Sequence, residues 1–111
     1  KRPKMGAAAA RGSDFAVATS DNPRGEDPMA ILREVEEGLR MAGAGPDRYA
    51  IVEDRRDAIR IALKRAIHGD TVVLAGKGHE SVQVIGSEEI PFDDRLVARE
   101  VLHELVTGRN R

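Results

Sequence analysis

Apolar residues recur along this chain with two different periods, and the switch between them predicts the order of its elements. Short aliphatic or β-branched runs without polar alternation read as buried strands: Phe15-Ala16-Val17-Ala18-Thr19-Ser20, Tyr49-Ala50-Ile51-Val52-Glu53 and Thr71-Val72-Val73-Leu74-Ala75. Between the first two, Ile31, Leu32, Val35 and Leu39 stand at helical spacing and predict an amphipathic helix from Pro28 to Met41. Asp27 before it is a cap, Pro28 suits its first position, and Ala42-Gly43-Ala44-Gly45-Pro46 stops it. Ile59, Ala62, Leu63, Ala66 and Ile67 predict a second helix over 54–68, with Gly69 as its left-handed stop. The Ala-rich stretch Pro3 to Arg11 reads as a short helix ending at Gly12. Near the C-terminus the period becomes two: Ser81 to Gly86 alternates, and Glu88 to Phe92 is expected to pair with it as an edge hairpin. Asp93-Asp94 then caps a last helix with Val97, Val101 and Leu105 on one face, followed by a polar tail from Thr107.

Strands alternating with helices imply right-handed crossovers and a parallel sheet. The expected class is therefore α/β: a single domain over 1–111 with a Rossmann-like, mainly parallel sheet, helices on both faces and a short antiparallel hairpin at one edge. The chain opens on Lys1-Arg2-Pro3 without an initiator Met, inside an element. We therefore expect a piece of a longer protein whose sheet lacks its first strand here.

Composition narrows the partners. Hydrophobic residues make up 41% but aromatics only 3%, so the core must be Ala, Val, Ile and Leu. With 18 basic and 19 acidic residues there is no electrostatic case for nucleic acid or an anionic membrane. The absence of Cys excludes disulfides and thiolate metal sites and fits the cytoplasm. No apolar stretch reaches membrane-spanning length, and no signal-peptide pattern opens the chain.

Ligands of open α/β sheets bind beyond the carboxyl ends of the strands. Two unusual polar loops follow such ends: Asp21-Asn22-Pro23-Arg24 and Gly76-Lys77-Gly78-His79-Glu80. Arg24 offers a planar fork of donors that matches a carboxylate, Pro23 fixes the backbone before it, and Asn22 adds an amide. The N-terminus of the helix at Pro28 adds partial positive charge. Gly76 and Gly78 let backbone N–H groups approach a bound group closely, and Glu80 can accept from an ammonium. One carboxylate receptor and one ammonium receptor on neighbouring strand ends suit an amino-acid head group. The plain alternative has Arg24 pairing with Glu26 or Asp27 and Glu80 as a solvated turn residue. Lys77 is a candidate contact for ATP phosphates, although the Walker pattern is not met, with Thr71 at its first Gly position and Gly78 at its last. His79 is a candidate partner of Glu80 or of the nucleotide. His68 and His103 read as helix-end and surface positions, and Arg55-Arg56 with Asp93-Asp94 as solvated faces or caps. No metal-ligand cluster and no nucleophile–base pair is present in the pattern.

In this order, the two loop motifs resemble the C-terminal domain of the Mur ligase family, in particular its MurE-type, diaminopimelate-adding branch. The opening Lys-Arg-Pro-x-Met-Gly, the run from Ser20 to Pro28 and Phe92-Asp93-Asp94-Arg95 are similar to the same family, so the resemblance covers essentially the whole chain. It implies the last domain of a three-domain, cytoplasmic bacterial ligase of peptidoglycan precursor synthesis. ATP and Mg²⁺, bound mainly in the other domains, would convert a D-glutamyl carboxylate of UDP-N-acetylmuramoyl-dipeptide into an acyl phosphate. The amine of meso-diaminopimelate would then attack it. By the resemblance Asp21, Asn22, Pro23, Arg24, Gly76 and Glu80 bind diaminopimelate, Asn22 and Arg24 making most of the contacts. No catalytic residue and no metal ligand falls in this stretch, and an upstream Arg of the family site falls before Lys1, so the receptor here is expected to be incomplete. Family members that add lysine lack the Arg at the position of Arg24. Two other readings stand beside this one: a stand-alone anion- or nucleotide-binding Rossmann-like module without ligase activity, and a sister ligase adding glutamate or another amino acid, which Arg24 with Glu80 disfavours.

Overall fold

Helix α1 (Arg2–Gly12) crosses α2 (Pro28–Met41) so closely that each contributes a glycine to the crossing. A Cβ on Gly6 would run into the Val35 carbonyl, and one on Gly38 into the Pro3 carbonyl. The contact is thus backbone against backbone, and Arg2 fastens it by ion pairs to Glu26 and Glu34, each at 2.6 Å. The computed structural model describes residues 2–21, 25–76 and 81–109.

Strand β1 (Ala16–Ala18) runs parallel to β2 (Tyr49–Ile51), with Ala16, Val17 and Ala18 opposite Tyr49, Ala50 and Ile51. The pairing is prolonged at the carboxyl end, where Val52 N–H donates to Ala18 at 2.9 Å and Ser20 N–H to Glu53 at 3.4 Å. Leu32 and Leu39, each 1% exposed, form the buried stripe of α2, which packs on β1 and β2. Helix α3 (Arg55–Arg65) packs on β1 and on α4 (Asp94–Arg109). Ile59, Val97 and Val101 are the centre of that second layer, with Leu63, Leu74, Phe92 and Leu105 around them. Strands β3 (Val82–Ile85) and β4 (Glu88–Pro91) form the expected antiparallel hairpin, extended by Phe92 N–H to the Ser81 carbonyl at 2.8 Å.

The result is an α/β domain with four helices, a parallel two-stranded sheet and an antiparallel hairpin among the described residues. Three expectations need correction. Thr71–Ala75 is not a strand: among the described residues no neighbour supplies ladder hydrogen bonds, Val73 is 78% exposed, and only Val72 and Leu74 of the segment are half-buried. A strand exists only as one member of a pair, and here a groove separates this segment from β1. Helix α3 ends at Arg65 rather than His68. The Asp70 side chain accepts the Ile67 N–H at 2.9 Å while Asp70 N–H returns to the Ile67 carbonyl at 2.9 Å. That turn diverts the backbone after Ala66 and leaves Ile67 75% exposed instead of in the apolar stripe. Helix α4, conversely, continues through the expected polar tail as far as Arg109. No helix among the described residues is long and apolar enough to cross a membrane.

Candidate functional site

The two motifs start at one rim of the domain. The first follows the β1 extension, whose last residue Ser20 is buried. The second follows Ala75. Asp21 opens the first and Gly76 the second, and these two residues adjoin: a Cβ at Gly76 would stand 3.6 Å from Asp21 Oδ2. Gly76 has φ 107°, a conformation that disfavours any side chain, so the turn itself calls for glycine there. Asn22, Pro23, Arg24, Lys77, Gly78, His79 and Glu80 lie outside the described residues. The sequence-derived site is thus represented by Asp21 and Gly76, one from each motif, and the fold brings those two together.

What holds the rim is a buried polar cluster that sequence reasoning missed. Arg55 is the first residue of α3, and Asp54 caps that helix by accepting the Asp57 N–H at 3.0 Å. Side chains on a helix lean toward its N-terminus, so a long side chain at the first position reaches past the helix end toward the strand tips. Asp94 is the first residue of α4 in the same way, with Asp93 accepting the Arg95 N–H at 2.9 Å. The two side chains meet in a two-pronged ion pair: Arg55 Nε donates to Asp94 Oδ1 at 2.8 Å and Nη2 to Oδ2 at 2.7 Å. Both side chains are about 95% buried, at 5% and 6% exposure. The remaining donors go to the chain: Nη2 to the Ala75 carbonyl at 3.0 Å, and Nη1 to the Ser20 carbonyl at 3.4 Å. Buried Gln83 adds Nε2 to the Ser20 carbonyl at 3.3 Å. Arg55 and Asp94 are therefore not the solvated or capping residues expected; Arg56 and Asp93, their neighbours, are. A signal was present in the sequence: one acid suffices to cap a helix, and the second of the Asp93-Asp94 pair was left over for another task.

Downstream of the first loop, Glu26 is held by both Nη atoms of Arg2, at 3.0 and 2.6 Å, and its carboxyl lies below the usual carboxylate range because of those hydrogen bonds. Asp27 accepts the Met29 N–H at 3.1 Å as the cap of α2. Both acids that were the plain alternative partners of Arg24 thus have structural work of their own. A groove of about 600 Å³ runs from Phe15 up to Ala75 between β1, α3 and the Thr71–Ala75 segment, lined by Val17, Ala58, Ile59 and Leu74. Its lower end is closed by the Arg65 guanidinium stacked 3.8 Å above the Phe15 ring. This groove reaches the rim at Thr19, Arg55 and Ala75, and its lining is mixed, with Asp14, Arg65 and Asp70 bordering it beside the apolar residues.

Among the described residues no group of three His, Asp or Glu side chains is placed to hold a metal ion.

Fold and rim together define an α/β domain in which Asp21 and Gly76, the opening residues of the two motifs, stand side by side. The chain belongs to the Mur ligase family: the model of the "Mur ligase, glutamate ligase domain" matches residues 1–78. Similar proteins include the UDP-N-acetylmuramoyl-L-alanyl-D-glutamate–2,6-diaminopimelate ligases of Caldanaerobacter subterraneus subsp. tengcongensis, 48% identical over 94% of this chain, and Geobacillus thermodenitrificans, 53% identical over the same share. That of Syntrophomonas wolfei is 55% identical over 92%. A solved structure of a ligase with this name superposes with a TM-score of 0.85 at 40% identity over 95% of the chain. The chain spans about a fifth of the length of these relatives, 21% for the first two and for the solved structure and 20% for the third.

Proposed function

We propose that this chain is the C-terminal, amino-acid-binding domain of a three-domain MurE-type ligase, working in the bacterial cytoplasm on peptidoglycan precursors. In that ligase the domain captures meso-diaminopimelate and presents its amine to a UDP-N-acetylmuramoyl-dipeptide carboxyl activated elsewhere in the protein by ATP and Mg²⁺. Arg24 and Asn22 grip a carboxylate of the incoming amino acid, Glu80 an ammonium, and Asp21, Pro23 and Gly76 shape the loops. Lys77 is the candidate for a contact to ATP. The observation that carries this reading is the adjacency of Asp21 and Gly76, the opening residues of motifs far apart in the chain. The engagement of Glu26 by Arg2 and of Asp27 by the α2 cap supports it further.

Acceleration by such a domain comes from placing the amine, which requires no acid, base or nucleophile of its own. We also propose that in the full-length protein the parallel sheet is completed by a strand N-terminal to Lys1, with helices on both of its faces.

The test is kinetic, in the full-length ligase. Diaminopimelate differs from lysine by one carboxylate, and a site built for that group discriminates by roughly 10⁴-fold. Arg24→Ala is expected to collapse that preference by raising KM for diaminopimelate, and Glu80→Gln to weaken capture of the amino acid with little change for ATP. Unchanged diaminopimelate kinetics in Arg24→Ala would remove the assignment.

A further inference from the structure

Among the described residues, Arg55 touches the carbonyl that precedes each motif loop: Ser20 before the first and Ala75 before the second. We propose that Arg55 is a positioning residue: it sets the spacing of the Ser20 and Ala75 carbonyls, from which the two motifs depart, and thereby the preference of the site among amino acids. This rests on the amino-acid-binding reading above.

The guanidinium is planar and its donors diverge at fixed angles. Asp94 takes the Nε–Nη2 edge with both oxygens, at 2.8 and 2.7 Å, and so prevents the plane from turning. With the plane fixed, the outer donors fix the separation of the two carbonyls they hold, and the backbone leaving each carbonyl enters a loop within one residue. The ion pair itself is anchored at the first residues of two helices that pack on one another. The rim is therefore tied to the rigid second layer through one side chain. The two carbonyls are not held equally. Ser20 has a second donor in Gln83 Nε2, whereas among the described residues Ala75 receives its side-chain hydrogen bond from Arg55 alone. Loosening Arg55 should accordingly free the backbone at Ala75 more than that at Ser20.

A lysine at this position keeps the charge and one contact to Asp94 but has no plane with which to hold two carbonyls. In the full-length ligase, Arg55→Lys is expected to raise KM for diaminopimelate by about 10- to 100-fold, as a shift near 1 Å in a positioned reactant costs. KM for ATP should stay the same, and the preference for diaminopimelate over lysine should narrow. Hydrogen exchange in the ligand-free protein should quicken at 76–80 more than at 21–25, with α1 and α2 unchanged. Gln83→Ala should give the opposite pattern, quickening 21–25 alone, and serves as the test if Arg55→Lys does not fold. Arg55→Lys with a lowered melting temperature but unchanged KM and uniform exchange would overturn the proposal, as would Gln83→Ala with unchanged exchange at 21–25. The exchange pattern needs no substrate, so the bracket is judged even if Arg24→Ala shows that the amino acid has been misassigned.

Discussion

The carboxylate of Asp94 is enclosed by a guanidinium on one side and the start of its own helix on the other, so neither charge of the pair meets water. Removing one member of such a pair leaves the other uncompensated, which costs about 3–5 kcal/mol. Asp94→Asn is therefore expected to lower stability by about that amount in denaturant unfolding, whereas Asp93→Asn, a half-buried cap that retains an acceptor, should cost far less. Similar losses for both would show the pair to be screened after all. The exposed pairs behave differently. Glu26, Glu104 and Asp93 are held below their ordinary values chiefly by hydrogen bonds from Arg2, Arg60 and Arg95 respectively. A carboxyl whose folded value is depressed binds its proton less readily than in the unfolded chain. Its stabilisation is present above the ordinary value of 4.5 for Glu and is lost as pH falls through the folded value. Melting temperature should thus be level near neutrality, decline below about pH 4.5, and decline less steeply in high salt, where exposed pairs are screened. A profile insensitive to both variables would mean these pairs contribute nothing. At this scale the sequence disclosed the exposed chemistry and concealed the buried. Asp21 and Gly76 were singled out because each opens a polar motif rich in turn residues, and the fold sets the two side by side. Arg55 was not, because nothing in a charged pair such as Arg55-Arg56 says which of the two faces inward until the helix start is fixed to the residue.

Elements were legible wherever a local chemical signal ended them. Helix α2 runs from Pro28 to Met41 as its cap, its first proline and its apolar spacing imply, and the hairpin lies where alternation places it. Helix α3 was overextended because its apolar pattern continues through Ala66 and Ile67; what ends it is the Asp70 carboxylate, three residues beyond Ile67, which accepts the Ile67 N–H. The crossing of α1 and α2 was equally hidden. Gly38 interrupts the amphipathic pattern of α2 like a weak point, since alanine would add about 1 kcal/mol of helix propensity there. Its absent side chain is instead what admits the Pro3 carbonyl. The obstacle is backbone, which cannot swing aside, so overpacking should outweigh propensity by about 1–3 kcal/mol. Gly38→Ala is expected to lower the melting temperature and to quicken hydrogen exchange in α1. A variant melting at or above the parent would show that the two helices are free to separate without loss.

At the scale of the whole molecule, the α/β class was readable from alternating periods, but the extent of the sheet was not, because a strand is defined by its neighbour. The Thr71–Ala75 segment has strand composition, half-buries Val72 and Leu74, and is tied at Ala75 to Arg55, yet it faces β1 across a groove rather than a ladder. The edge of β1 away from β2 carries no strand among the described residues. The lining of the groove, from Val17 and Ile59 to Leu74, is apolar in its middle. Those are the surroundings of an extended apolar segment bonded on both sides, and the chain accounts for only about a fifth of its relatives' length. The strand proposed to lie N-terminal to Lys1 would satisfy the free edge of β1 and the amides of Thr71–Ala75 at once. Each Val, Ile or Leu it buries would contribute about 1.5–3 kcal/mol. The measurement is hydrogen exchange at 71–75 in two samples, the 111-residue chain alone and the full-length ligase. Exchange within this segment should be fast in the first and slowed by orders of magnitude in the second, with β2 similarly protected in both. Fast exchange at 71–75 in the full-length protein would mean that the groove stays open there, and that the two loops are positioned by Arg55 and the hairpin without a continuous sheet beneath them.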